Sequence, residues 1–393
     1  MHVLQEHEVR ASLRPLDAAW EDRSTFAFVP EKSGVTLDWV RERLPSLPPS
    51  LQTDHFLLLT SGSTGTPKLV VANRRRAEAL TRVLHDRQAL EPVATAIVAL
   101  PLTYCYALVN QWLWARVHGR GVLLSRGLGY ADILMDQLET TRDSMICLVG
   151  SQLSLLRCHW AGRQFPHVRR VNFAGGPFPQ ADLPLVAALF PAARIFNNYG
   201  CAEAMPRLTV READPEQPGE QVGPPLPGVE LRSGPDGEVL FRSPYQIVAE
   251  FVDGEFRAIA DDAWLPAGDL GELDPAGRLH LRGRGNEVFK RYGEKVSLPT
   301  ILAAVRELWP EGAACFRETD KRGEPGHVLV LAAQPDDAGI KTLLAMFRTR
   351  FSRSAWPLRI ESLPALPTLA NGKPDVLQMA ASQDKTVHWQ QRT

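Results

Sequence analysis

Nine residues between two apolar runs, Thr60, Ser61, Gly62, Ser63, Thr64, Gly65, Thr66, Pro67 and Lys68, bring together five hydroxyls and one ammonium. The glycines among them let backbone N–H groups close on a ligand, and the set suits a polyphosphate. The spacing does not match the GxxxxGK[ST] phosphate loop, and a strand-like run rather than a helix follows. Further clusters of small and polar residues come later in the chain. They are FAGGP at 173–177, NYGCAE at 198–203, AGDLGELDPAGRLHLRGR at 267–284, GRGNEVFKRYGEKVS at 283–297 and NGK at 371–373. Taken singly, NYGCAE is a turn at a strand end and NGK a solvated loop. The ten histidines show no HxxxH or HxxE spacing, so no structural zinc is expected.

Together these segments have a pattern. TSGSTGTPK resembles the phosphate-binding loop of the adenylate-forming superfamily, which comprises acyl- and aryl-CoA synthetases, peptide-synthetase adenylation domains and luciferases, and the remaining motifs follow in that family's order. The resemblance covers nearly the whole chain. It implies that Gly175 and Gly176 form a turn beside the adenine, and that Asn198, Tyr199 and Gly200 belong to the nucleotide site with Tyr199 against the adenine ring. It places Glu203 on Mg²⁺, Asp269 on the ribose, and Arg284 at ribose and phosphate. The implied reaction has two steps: a carboxylate attacks the α-phosphorus of ATP, and a thiol of CoA or of a phosphopantetheine-bearing acyl carrier protein then displaces AMP. A negative nucleophile meeting a polyanion needs cations, and Glu203-bound Mg²⁺, Lys68 and Lys373 are the implied sources. Between the steps the C-terminal domain is expected to swing about a hinge at Asn286, withdrawing Lys373 and bringing Gly293 to line a thiol channel.

The chain also departs from that pattern. The phosphate loop starts at residue 60, so part of the usual N-terminal subdomain is expected to be reduced. Ala202 stands where a threonine usually offers its hydroxyl to the α-phosphate, a loss of about 1.5–3 kcal/mol. In PLTYCYAL, 101–108, Tyr104 replaces a histidine near the acyl carboxylate. Cys105 stands where amino-acid-activating domains carry the aspartate that pairs an ammonium, which argues against an α-amino acid. With Tyr106, Trp112 and Trp114 nearby, Tyr104 and Cys105 suggest an acyl pocket for an aryl or flat unsaturated acid, although the tryptophans equally suit a core. The reading is therefore an ATP-dependent acid–thiol ligase, with the acceptor left open between CoA and a carrier protein, for instance in secondary metabolism. The alternative is a catalytically weakened nucleotide- or acyl-binding relative with a scaffolding or regulatory role.

The elements that position these residues follow from periodicity. Strand-like runs at 56–59, 96–100, 121–124, 145–149 and 169–173 alternate with helix-like segments at 75–85, 106–118, 132–140 and 152–160. That pattern predicts an α/β layer structure with mainly parallel sheets. From about residue 217, short alternating runs at 234–242 and 277–284 suggest a small distorted barrel. A helix over 298–308 capped by Ser297, strands near 313–316, 327–332 and 358–361, and a helix over 340–351 form an α+β unit. The expected domains are thus 1–283, binding ATP and the acid, and a mobile lid, 284–393. The first 50 residues show no clear period, and Pro45, Pro48 and Pro49 resemble a linker. Arg74, Arg75 and Arg76 look like a solvated helix start, while Arg282, Arg284, Lys290, Arg291 and Lys295 suggest contacts to nucleotide or thiol arm. With 44 Lys+Arg against 45 Asp+Glu over 393 residues, no global field favours nucleic acid. Five scattered cysteines, a charged N-terminus and no apolar run near 20 residues predict reduced thiols, no membrane insertion and a cytoplasmic location.

Overall fold

A computed structural model describes the chain except residues 32–34, 62–66, 128–129, 161, 286, 293, 311, 370–373 and 392–393; the side chains of 61, 67, 151, 154, 155, 158, 159 and 295 are also not described. The chain forms two compact units: Met1–Ala267 with Gly271–Leu281, and Gly268–Leu270 with Arg282–Thr393. No helix among the described residues is long and apolar enough to cross a membrane.

The first unit has a six-stranded sheet in the order Thr209–Glu212, Arg194–Tyr199, Val168–Phe173, Ser144–Leu148, Thr95–Val98, Gly121–Leu124. All its pairings are parallel except that of the edge strand Thr209–Glu212. The runs read from the sequence at 96–100, 121–124, 145–149 and 169–173 fall on four of these strands, and Ile97, Ile146, Leu148 and Val171 are fully enclosed by helices such as Ala131–Thr140 and Leu153–Trp160. A second six-stranded sheet is mixed. Its parallel strands His2–Gln5, Phe26–Val29 and His55–Ser61 continue through an antiparallel series, Pro67–Asn73, Ala249–Val252 and Glu255–Ala258. The short antiparallel strands expected after residue 217 form a five-stranded sheet, Gln221–Gly223, Leu279–Arg284, Leu265–Leu273, Glu238–Arg242 and Glu230–Ser233.

Several expectations need correction. The first 50 residues are built into the mixed sheet, with the helix Arg14–Glu21 burying Leu16, Ala19 and Trp20. Pro45, Pro48 and Pro49 are no linker: Pro45 and Pro49 sit in tight single-turn segments, Leu44–Ser46 and Pro49–Leu51, joined through the buried Leu47 and Pro48, and Leu44 is buried as well. Arg74 is not on a solvated face. Asn73 caps the helix Arg74–Arg87 by accepting from Arg76 N, and the buried Arg74 donates to the carbonyls of Ala19, Trp20, Asp22 and Ser24. It thereby clamps the N-terminal segment to that helix.

The second unit contains the hairpin Val288–Arg291 and Glu294–Ser297 and the helix Leu298–Leu308 with Ser297 at its N-cap. Its four-stranded sheet runs Ala313–Thr319, Pro325–Ala332, Arg359–Leu363 and Thr386–Gln390. The helix Asp337–Arg350 is capped by Asp336, whose carboxylate accepts from Gly339 N at 2.7 Å. Ile301, Val305, Leu329, Leu331, Leu343 and Phe347 form its core. Arg291 is buried here, with its guanidinium 3.2 Å from Asp320 Oδ2, so it is a structural ion pair rather than part of a binding patch.

Candidate active site

Thr60 and Lys68 face each other across a hairpin. Strands His55–Ser61 and Pro67–Asn73 pair with Thr60 opposite Lys68 and Ser61 opposite Pro67, so a strand follows the loop. Gly62, Ser63, Thr64 and Gly65 lie outside the described residues, as does the side chain of Ser61. Thr60 Oγ1 is buried with no hydrogen-bond partner among the described residues, leaving a hydroxyl available at the root of the loop. Lys68 Nζ donates to Glu250 Oε2 at 3.2 Å, and the two side chains are 37% and 28% exposed. At that exposure the pair contributes at most about 1 kcal/mol. Glu250 is a neighbour the sequence reading missed: its strand, Ala249–Val252, joins the hairpin only through the sheet.

The turn after Val168–Phe173 carries Gly175 at φ +79°, and a Cβ at Gly176 would meet nothing within 4 Å, leaving one face open for a flat ring. Beneath it, a Cβ at Gly150 would stand 2.5 Å from the Pro177 carbonyl, so the two backbones need glycine there. Asn198 and Tyr199 end the neighbouring strand, both buried. Asn198 is held by internal bonds: its carbonyl accepts from Gln88, and its amide donates to Asn172 Oδ1 and Phe196 O. Gly200 is a true close approach, since a Cβ would fall 2.0 Å from Pro206 O and 2.9 Å from the Arg207 Cα.

Glu203 lies half-buried in the turn Ala202–Ala204, and its main-chain carbonyl accepts from Ile247 N. Its carboxylate makes no ion pair among the described residues. One free carboxylate fits Mg²⁺, which commonly takes one or two carboxylates and draws its remaining ligands from substrate phosphates and water. Tyr104 caps a short helix, Cys105–Ala107, that continues as a π-helical stretch, Leu108–Leu113, and then Trp114–Val117. Burial pushes the Cys105 thiol up to about 12, with the Glu203 charge adding to the shift and Arg207 opposing it. Tyr106 is buried and donates to Asn172 O at 2.9 Å. The tryptophans are core, not pocket wall. Trp112 Nε1 donates to Asp17 and Trp114 Nε1 to His85, with both rings enclosed, because this helix is covered on every side.

Asp269 and Arg284 both belong to the second unit. The buried Asp269, on Leu265–Leu273, faces the Arg284 Nε at 3.4 Å, and Gly285 N donates to Gly268 O. The carboxylate and guanidinium thus form one polar patch. Asn286, Gly293 and Lys373 lie outside the described residues.

Arg207 was not singled out from the sequence. It is 1% exposed, and neither Nε nor Nη2 has a partner among the described residues. Its signal was a lone basic residue, four after Glu203, in the otherwise apolar run AMPRLTV.

Comparison with known proteins adds a family and a fold. Residues 3–243 match the family described as AMP-binding enzyme. The chain is 27% identical to indoleacetate–CoA ligase of Aromatoleum aromaticum over 353 residues, covering 84% of this chain and 68% of that enzyme. It is 26% identical to a feruloyl-CoA synthase of Amycolatopsis over 357 residues, covering 86% and 71%. Among solved structures, ATP-bound MatB from Rhodopseudomonas palustris superposes with a TM-score of 0.76 at 19% identity, covering 96% of this chain and 88% of that one.

Proposed function

The chain belongs to the AMP-binding enzyme family and is an AMP-forming acid–thiol ligase, and from that premise we propose that its acid is aryl or aryl-like and lacks an α-ammonium. The observation that carries this reading is the neutral Cys105 between Tyr104 and Tyr106 at the start of the helix Cys105–Ala107. Position 105 offers no carboxylate to pair an ammonium. Tyr104 and Tyr106 flank it with flat surfaces. The likeness to indoleacetate– and feruloyl-CoA-forming enzymes, whose names specify aryl-bearing acids, supports the same choice.

In the first step a carboxylate oxygen forms a bond to the α-phosphorus of ATP, and the bond from that phosphorus to the bridging oxygen breaks, releasing pyrophosphate. Carboxylates are ionised at neutral pH, so the step needs charge neutralisation rather than a base. Mg²⁺ held through Glu203 supplies charge neutralisation when bound. Lys68 leaves Glu250 for the departing pyrophosphate, and Lys373 neutralises charge at the attacking carboxylate. The open side of the Gly175–Gly176 turn takes the adenine against Tyr199, while Asp269 accepts from the ribose hydroxyls with Arg284 beside it. In the second step the thiol of a phosphopantetheine arm, on CoA or on an acyl carrier protein, attacks the acyl carbon. The carbon–oxygen bond to AMP breaks, and the thiol proton is released. Asn286 serves as the hinge between steps and Gly293 lines the thiol channel.

The test is carboxylate-dependent ATP–pyrophosphate exchange over benzoic, cinnamic, arylacetic, fatty and amino acids, with Lys373→Ala alongside. Exchange with aryl acids alone, lost in the variant, is the expected result. Exchange led by fatty or amino acids refutes the substrate class.

A further inference from the structure

Among the described residues, the buried Arg74, Arg211 and Arg291 each leave only Nε without a partner, whereas Arg207 leaves two nitrogens. Arg74 has its four carbonyls, Arg170 donates to the carbonyls of Gln88, Ala89 and Arg169, and Arg291 faces Asp320. Arg207 is as deeply buried as any of them, yet it makes no ion pair and leaves two donor nitrogens without a partner among the described residues. Its guanidinium carbon stands 5.0 Å from the centre of the Tyr106 ring, and the thiols of Cys105 and Cys147 are the other groups that act on its charge. None of the three offers an anion at neutral pH. Burial pushes both thiols up to about 12 and the Tyr106 phenol well above its usual 10. A guanidinium enclosed without a counter-charge is strongly disfavoured unless something arrives to pair it.

The surrounding backbone fixes the point from which that guanidinium extends. Gly200 lets the Pro206–Arg207 segment pack directly on the turn, Leu208 N donates to Tyr199 O at 2.9 Å, and Arg207 N donates to Ala204 O. The Arg207 main chain is thus fixed relative to the turn that carries Glu203. A rigid fork of N–H donors matches a carboxylate in geometry as well as charge.

We propose that Arg207 is a specificity-determining residue that binds a second carboxylate on the acid substrate, so that this chain activates an aryl or aryl-like dicarboxylic acid. The inference rests on the acid-ligase reading above. It requires the reacting carboxylate to lie toward Glu203 and the second one to reach Arg207 past Cys105 and Tyr106.

ATP–pyrophosphate exchange by the unmodified protein tests it first, with matched pairs: benzoate against isophthalate and terephthalate, cinnamate against 4-carboxycinnamate, hexanoate against adipate. The diacid is expected to lead by more than about 100-fold in kcat/KM in at least one aryl pair, because a buried donor left unpaired rejects the analogue that lacks its acceptor. In Arg207→Met the preference inverts toward the monoacid; in Arg207→Lys, which keeps the charge but not the fork, it shrinks without inverting. Equal rates within every pair, or a lead for the monoacid, in the unmodified protein overturn the proposal. So does a Met variant that slows both members of a pair alike, the behaviour of a residue that holds the reacting carboxylate or only the fold. If no acid supports exchange, the substrate reading of the preceding section fails. The Arg207 proposal is then decided by calorimetry of the same diacids with AMP-loaded protein. Binding present in the unmodified chain and lost in Arg207→Met supports it, and binding by none of them overturns it.

Discussion

His327 gives the second unit a measurable acid sensitivity. Its ring is fully enclosed on the strand Pro325–Ala332, 6.4 Å from the Phe289 ring, and neither nitrogen has a partner among the described residues. Burial, helped by the Arg291 cation, lowers its pKa to about 3. The folded pKa lies below the unfolded value of roughly 6.5, so the unfolded chain takes up the proton first as pH falls. Stability is full above about 6.5 and drains away between there and about 3. Integrating the linkage from pH 7.5 to 5.0 gives a loss of about 2 kcal/mol, a factor of roughly 30 in the opening equilibrium. Glu318 and Asp320, held below their usual pKa values, lose their contribution only at lower pH and stay outside this window. The assay is native-state hydrogen exchange at the amides of Pro325–Ala332, corrected for intrinsic rates, at both pH values. The wild-type chain should lose about 30-fold protection at pH 5.0, and His327→Leu should lose almost none. Equal losses in both chains, or no loss in the wild type, refute the reasoning.

Three further outcomes follow from the sites. Glu250→Gln frees Lys68 from an exposed pair worth up to about 1 kcal/mol, so steady-state kinetics should show an ATP KM lowered by as much as 5-fold, whereas Lys68→Met should raise KM and lower kcat. Asp269→Ala should weaken ATP by about 10- to 100-fold and abolish discrimination between ATP and 2′-deoxy-ATP; retained discrimination would remove Asp269 from the ribose. With its thiol at about 12, Cys105 should alkylate at pH 8 about a thousand times more slowly than an ordinary cysteine, as read by mass spectrometry of the labelled peptide.

Where one local signal dominates, the sequence was enough. The helix Leu298–Leu308 begins directly after the expected Ser297, where an apolar stripe starts with Pro299 in its first turn, although the Ser297 side chain makes no capping hydrogen bond. The strands Gly121–Leu124 and Ser144–Leu148 are short, largely apolar runs. The segment at 60–68 stands out because small and polar residues interrupt such runs, whereas 104–105 and 198–203 stand out only through the motif order shared with the adenylate-forming superfamily. What escaped was non-local. His2–Gln5 and Phe26–Val29 are four residues each, too short to display a period, and acquire their identity from pairing with His55–Ser61. Arg74 reads as a surface cation until the carbonyls of residues 19–24 are folded over it. Trp112 and Trp114 suit a pocket or a core equally well in sequence, and only the packing around their helix decides. Arg207 has the same ambiguity, since charge in a sequence does not say whether a partner comes with it.

The mixed sheet also has a consequence for the chain during its synthesis. Lys68 and Glu250 lie 182 residues apart, and the strand Pro67–Asn73, whose Leu69, Val70 and Val71 are fully buried in the finished fold, receives its second neighbour only when Ala249–Val252 has been made. At about 5–20 residues per second, the interval is on the order of 10–35 s. For that time an apolar strand presents an open edge on the ribosome, the kind of surface on which nascent chains cross-pair. Slower translation between residues 74 and 248 lengthens that exposure, and chaperone capture of the hairpin covers it.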